Sequence, residues 1–491
     1  MEKENFIERF WKVKASGSTV RTEIIAGFTT FLTMAYIVFV NPAIIAAPAG
    51  VDAAYFFGAD AQSVQSALFV ATCLCACMGT LLMAFLARVP FAQAPGMGLN
   101  AFFAYTIMLG MGKTYAEALA IVLISGLLFI ILTVTGLREA IVRGIPANIR
   151  VAISGGIGLF IAYSGLKNAG LIQFTLDPGT YQVTNPAAAL GQSTIVANAS
   201  AIPSLVDFST WTPETAGAAL ALLGLIIIGV LYARKCRGYI FIGIVITAVI
   251  GIPLGVTALP QSIDFSRIGL QFQDWVQISL LRLDFSSLIH EGSLIGTLFN
   301  ILMVVVAFSL VDMFDTLGTI IGTAQQAGML DEKGEFPALK RTLMADAVAT
   351  TAGALMGSST VTTFVESSTG ISEGGRTGLT AFVTAVLFLA ALALSPVLGI
   401  IPSAATAPAL IFVGVLMISP IRSIDFDDIT EAIPAFVTLL FMPLTFSIAD
   451  GIAFGLITYV LLKALTGHYK AVQPVTTVLA LLFVLRFLFM Q

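Results

Sequence analysis

Apolar runs of about twenty residues recur along nearly the whole chain, separated by short polar breaks. They fall at roughly 21–41, 65–87, 97–109, 116–136, 148–166, 216–232 and 238–257, and again at 293–315, 343–357, 366–372, 377–395, 404–420, 431–448 and 450–466. Crossing roughly 30 Å of hydrocarbon takes about 20 residues of helix, so the third and tenth runs are too short to span as helices. The pattern predicts an all-α polytopic membrane protein of about 14 segments. A further apolar stretch, Val475 to Met490, contains Arg486 and reads equally as a span or a surface segment.

Two segments are interrupted. The first reads Pro90-Phe91-Ala92-Gln93-Ala94-Pro95-Gly96-Met97-Gly98-Leu99-Asn100-Ala101-Phe102-Phe103. Proline at both ends of Phe91–Ala94 forbids a continuous helix and favours extended backbone. Gly96 and Gly98 then permit a sharp re-entry into a half-helix. The second runs from Gly357 to Gly370 through Thr360-Val361-Thr362-Thr363-Phe364-Val365-Glu366, and its β-branched residues suit an extended stretch ahead of another half-helix. Non-helical backbone at membrane depth is tolerated only where protein buries it or where it lines a cavity.

The halves resemble each other. Leu127-Leu128-Phe129-Ile130, Gly144-Ile145-Pro146-Ala147 and Gly156-Ile157-Gly158-Leu159-Phe160 are matched by Val386-Leu387-Phe388-Leu389, Gly399-Ile400-Ile401-Pro402-Ser403 and Phe412-Val413-Gly414-Val415-Leu416. An odd number of crossings per half makes the repeats inverted, and interrupted segments in such repeats mark a midplane binding site. The expected organisation is a polar segment at 1–20, a first repeat at 21–257 with a long loop at 167–215, a connector at 258–292, a second repeat at 293–466 and an apolar tail at 467–491. Arg and Lys gather in alternate loops (Arg88; Arg138, Arg143 and Arg150; Arg234, Lys235 and Arg237; Lys333, Lys340 and Arg341; Arg422; Lys463 and Lys470). By the positive-inside rule these loops and the amino terminus are cytoplasmic, the loop 167–215 and the connector extracellular, and the protein sits in the plasma (inner) membrane.

Composition agrees: 57% of the 491 residues are hydrophobic and 11% charged, against about a quarter charged in soluble proteins. A net charge of −4 offers no basic field for nucleic acid. The polar start of the chain does not read as a cleavable signal peptide. Cys73, Cys75 and Cys77 lie in one apolar run and read as small fillers, with no disulfide, metal site or cofactor expected.

Against that apolar background the carboxylates stand out. Asp312 and Asp315 close the run from Leu294 and share a helix face. Ionisable groups inside a bilayer are costly and usually face a cavity that carries function. Glu366 and Asn100 sit in the interrupted segments, whose half-helix amino termini offer unpaired N–H donors and partial positive charge. With Gly98 at one half-helix start and Phe102, Phe103 or Phe364 to stack on a flat ring, these residues suit a neutral, N–H-rich heterocycle such as a purine. Coupling to protons falls to Asp312, Asp315 and Glu366, since His290 and His468 lie in loops.

Structural readings stand beside these. The aspartates could mark a helix end reaching water, Glu366 could cap its half-helix, and Asn100 could satisfy broken backbone. Asp346 reads as an ion-pair or cap partner, Asp450 as a cap, and Ser154-Gly155-Gly156-Ile157-Gly158 as close helix packing rather than a phosphate loop. Two rival functions fit parts of the pattern: a sulfate-type anion carrier, which three cavity carboxylates oppose, and an intramembrane aspartyl protease, which needs its aspartates on separate helices. An enzyme is not expected.

The runs Ala94-Pro95-Gly96-Met97-Gly98-Leu99-Asn100-Ala101-Phe102-Phe103, Val311-Asp312-Met313-Phe314-Asp315-Thr316-Leu317-Gly318-Thr319 and Thr362-Thr363-Phe364-Val365-Glu366-Ser367 closely resemble the AzgA-like purine permeases, a branch of the nucleobase–cation symporter superfamily. Thr22-Glu23-Ile24-Ile25-Ala26-Gly27-Phe28-Thr29-Thr30-Phe31 extends the likeness to the first segment. The resemblance implies seven plus seven inverted spans in a core and a gate domain, with a short strand and a half-helix in segments 3 and 10. It implies proton-coupled uptake of guanine, hypoxanthine or adenine, binding roles at Asn100, Asp312 and Glu366, a functional role at Asp315, and a homodimer.

Overall fold

The computed structural model describes residues 6–50, 52–136, 145–176, 181–183, 195–197, 201–258, 267–286, 305, 308–309, 312–313, 316, 319–320, 323–324, 327–331, 336–393, 401–445 and 447–489. Among them, six helices are long and apolar enough to cross a membrane, and five shorter apolar helices accompany them.

Both interrupted segments form strand and half-helix. Gln93–Pro95 pairs antiparallel with Val361–Thr363, Gln93 opposite Thr363 and Pro95 opposite Val361. Met97–Ala101 and Ser367–Ser372 are the helices that follow, the first widening into a π-helical stretch over Phe102–Gly110. A lone two-stranded ribbon leaves backbone groups unpaired along its outer edges, which is expensive when buried. Hydroxyls complete it: Thr80 Oγ1 accepts from Gln93 N at 3.0 Å and lies 2.9 Å from Gln93 O, Thr350 donates to Val361 O at 3.2 Å, and Ser367 Oγ accepts from Ala92 N at 3.0 Å. One strand comes from each repeat, so the repeats interlock at this ribbon.

The helices sort into two bundles by what they pack against. Val20–Met34, Ala61–Leu82, Tyr115–Thr135, Leu339–Met356 and Gly378–Ala390 surround the ribbon. Ala147–Asn168, Pro213–Ala233, Tyr239–Gly251, Ser403–Ile418, Ile429–Leu444 and Ile448–Leu465 form the other. These are the core and gate domains of a seven-plus-seven fold. The glycine-rich run beginning at Ser154 serves helix packing: a Cβ on Gly158 would stand 2.8 Å from the carbonyl oxygen of Gly414, its neighbour in the Ser403–Ile418 helix. That pair belongs to the motif repeated between the halves.

Other expectations are refined. The loop 167–215 holds paired strands, Ile172–Leu176 with Ala201–Leu205 and Tyr181–Val183 with Ile195–Ala197. Within the connector 258–292, Arg267–Asp274 is helical and Trp275 Nε1 donates to Met356 O at 2.8 Å, closing the end of the Leu339–Met356 helix. The apolar tail contains the helix Pro474–Phe489, whose Thr476, Ala480 and Phe483 are buried while Val478, Leu481 and Leu488 are exposed. Spacing of three and four residues puts the buried set on one face, docked on Ile448–Leu465.

Candidate functional site

Glu366 stands where the second strand gives way to its half-helix. It occupies the cap position, yet its carboxylate makes no capping bond. Instead Oε1 accepts from the Tyr36 hydroxyl at 2.7 Å. Val361 to Phe364 are buried, whereas Val365 is 60% exposed and Glu366 half-buried, so the burial of the ribbon ends at this junction. Tyr36 comes from the first span, between Val20–Met34 and Ile37–Ile45, where Ala35 and Tyr36 keep helical dihedrals. Tyr239 of the other bundle is close enough to feel the charge on Glu366. Its position is set on both sides. A Cβ on Gly238 would stand 3.1 Å from Leu32 O, and the Phe241 ring stacks on Phe39 at 6.3 Å.

Asp312 is fully buried. The Thr316 hydroxyl lies 3.4 Å from Asp312 Oδ1 and 3.2 Å from Asp346 Oδ1. Gln93 Nε2, on the first strand, donates to Asp346 Oδ1 at 3.2 Å and lies 3.4 Å from Thr363 Oγ1 on the second. Asp312 is therefore linked to the ribbon through Thr316, Asp346 and Gln93, and Glu366 follows the same ribbon three residues after Thr363. Asp315 and His290 lie outside the described residues. Asp346 is mid-helix and fully buried, so it is not a cap.

Asn100 is held in a buried network of amides and hydroxyls. It is fully buried, its Nδ2 donates to Asn41 Oδ1, its Oδ1 accepts from the Ser359 hydroxyl, and Asn41 Nδ2 donates to Thr72 Oγ1 at 2.6 Å. Gly98 serves close packing between the bundles, since a Cβ there would stand 2.6 Å from Ile157 Cγ2. Phe102 is buried against Phe308 with ring centroids 5.7 Å apart, Phe103 against Tyr115 at 6.0 Å, and Phe364 is buried. Asp450 lies in the first turn of Ile448–Leu465, where the Ser447 hydroxyl is the cap and accepts from Asp450 N at 3.2 Å.

Sequence reasoning missed Tyr36, Asn41, Gln93, Tyr239 and Ser359. The available signal was polar residues inside otherwise apolar runs, with Asn41 beside Pro42 the plainest case. A shallow depression of about 270 Å³ lined by Phe272, Gln273, Val276 and Gln277 holds no ionisable group and shares no residue with this network.

A family model described as a permease family matches residues 21–203 and 187–454. The adenine permease AdeP of Escherichia coli is 38% identical over 494 residues, covering 99% of this chain and 97% of that protein. The guanine/hypoxanthine permease PbuG of Bacillus subtilis is 38% identical over 488 residues, covering 99% and 100%. The nucleobase transporter PlAzg2 of Paenibacillus larvae is 32% identical over 441 residues, covering 90% and 77%. Among solved structures, the transmembrane domain of the cyanobacterial bicarbonate transporter BicA aligns with a TM-score of 0.56 at 16% identity over 89% of this chain and 97% of that one. SLC26A9 aligns at 0.56 and 11% identity over 94% and 68%; at such identities the likeness concerns the fold.

Proposed function

This chain belongs to the permease family whose model it matches over residues 21–203 and 187–454, and we propose that it is a secondary active transporter importing purine nucleobases by proton symport, guanine and hypoxanthine foremost and adenine as well. The observation that carries the reading is Glu366: a carboxylate bonded to Tyr36 at 2.7 Å where the ribbon's second strand gives way to its half-helix. Relatives named for adenine and for guanine/hypoxanthine support the solute class. The resemblance to the AzgA-like branch agrees with them.

A carboxylate accepts hydrogen bonds only, whereas its protonated form also donates. Protonation of Glu366, Asp312 or Asp315 ahead of binding changes which edge of a purine the site can hold. Proton and solute then bind with reciprocal coupling, the thermodynamic content of symport. The bundle carrying the ribbon moves against the other, elevator-like, to expose Glu366 to either side. Tyr239 supports a site shared between bundles, because it approaches Glu366 from the partner bundle. The protein lies in the plasma membrane with its amino terminus cytoplasmic.

Uptake of labelled guanine, hypoxanthine and adenine into proteoliposomes tests this. Accumulation driven by an imposed pH gradient is expected; accumulation indifferent to the gradient rejects proton coupling, and no uptake of any purine rejects the solute class. The likeness in fold to BicA motivates labelled bicarbonate and sulfate as the counter-test. Carboxylates near the site disfavour an anion, so neither is expected to enter.

A further inference from the structure

Tyr36 has its ring fully buried and spends its hydroxyl on one atom, Oε1 of Glu366, at 2.7 Å. The contact joins residues 330 positions apart, one in the first span and one at the start of the second half-helix. A carboxylate offers two oxygens in one plane. The phenol engages one of them and, being rigid and packed, also fixes how that plane is turned. The second oxygen, Oε2, takes no bond from Tyr36.

We propose that Tyr36 is a positioning residue that determines specificity: its bond to Oε1 turns the carboxylate so that Oε2 is the acceptor offered to the solute. This rests on the reading of Glu366 as the solute-binding carboxylate. Guanine carries two N–H groups side by side, on N1 and on the 2-amino group, spaced to meet both oxygens of a carboxylate. Hypoxanthine carries the N1–H without the amino group. With Oε1 engaged, both purines make the same principal bond, and the site does not favour guanine for its amino group. Without the phenol hydroxyl, guanine alone gains a second bond.

The test compares wild type, Tyr36→Phe and Glu366→Gln for guanine and hypoxanthine, by uptake KM in proteoliposomes and by competition binding on purified protein. In Tyr36→Phe the ratio of KM for guanine to KM for hypoxanthine is expected to fall on the order of ten- to a hundredfold, the effect of one hydrogen bond to a charged group. With 1-methylguanine, which lacks the N1–H, that shift should vanish. A purely structural role for Tyr36 changes both KM values or both maximal rates in proportion, and an unchanged ratio overturns the proposal. If Tyr36→Phe does not accumulate as folded protein, Tyr36→Met, which also lacks a donor, is read the same way. Glu366→Gln separates the two readings. If it leaves purine binding intact, the site itself is wrong; if it abolishes binding while the Tyr36→Phe ratio is unchanged, only the role given to Tyr36 fails.

Discussion

Replacing Glu23 by alanine should loosen the ribbon-bearing bundle more than any loss of side-chain volume explains. Glu23 lies in the first turn of Val20–Met34 and is fully buried, and its carboxylate reaches across to the start of the Gly378–Ala390 helix. Oε1 accepts from Arg376 N at 2.9 Å. Oε2 accepts from Thr377 N at 3.2 Å, Thr380 N at 3.2 Å and the Thr380 hydroxyl at 2.6 Å. Arg376 N and Thr377 N have no partner inside the helix they precede, whereas Thr380 N also donates to Thr377 O at 3.2 Å. Hydrogen bonds to charged groups contribute about 1.5–3 kcal/mol each, and a buried donor left unsatisfied costs about 1–3 kcal/mol. Arg376 is part-exposed, so water reaches its N–H and that loss is small. The Thr377 N–H is buried and remains unmet, while Thr380 N keeps Thr377 O and the Thr380 hydroxyl keeps the backbone oxygen of residue 23, which puts the total at about 2–3 kcal/mol. At about 2–4 °C per kcal/mol, the value for units of 150–250 residues, a fall of roughly 4–8 °C follows at the lower figure. The assay is thermal unfolding of detergent-purified protein, with Glu23→Gln alongside. The amide restores one acceptor and points its NH₂ at the remaining donors, so it should fall between. A shift under about 2 °C for the alanine variant refutes the argument that this carboxylate is the cap.

Two further outcomes follow from surface charges. Arg237, in the turn between Pro213–Ala233 and Tyr239–Gly251, pairs with Glu373, which follows the Ser367–Ser372 half-helix, and so ties the two bundles together. Because Arg237 is exposed, the pair contributes at most about 1 kcal/mol. Arg237→Ala should therefore shift the balance of conformations, read by spin-label distances between bundles, by no more than about fivefold; a complete collapse into one state would contradict this. Asp428, ahead of Ile429–Leu444, has its carboxyl held below the usual aspartate range by the hydroxyl and backbone N–H of Thr430, with Lys463 adding to it. A depressed folded-state pKa means stabilisation present above the unfolded value of about 3.9 and lost as pH falls through the lower folded value. The melting-temperature gap between wild type and Asp428→Ala should thus be full at neutral pH and close below about pH 3.9; a gap that widens on acidification would reverse the sign.

Partition into a membrane is a local property of the chain. Twenty apolar residues in a row need no distant partner to be read, which is why the segments, the inverted halves and the packing role of Gly158 were legible before any coordinates. The two interruptions were legible for the same reason: Pro90, Pro95 and the β-branched run at Val361–Thr363 restrict their own backbone wherever they sit. Partnership between polar groups is not local. Tyr36 lies in an apolar helical run, and nothing near it in sequence announces that its phenol will meet Glu366. The sequence does not connect Asn100 to Asn41 and Ser359, and Asp346, which reads as an ion-pair or cap partner, meets Gln93 and Thr316 only in the fold. In each case one repeat supplies a group that the other leaves unsatisfied. A buried polar atom must find its partner wherever the interlocked ribbon brings one within reach.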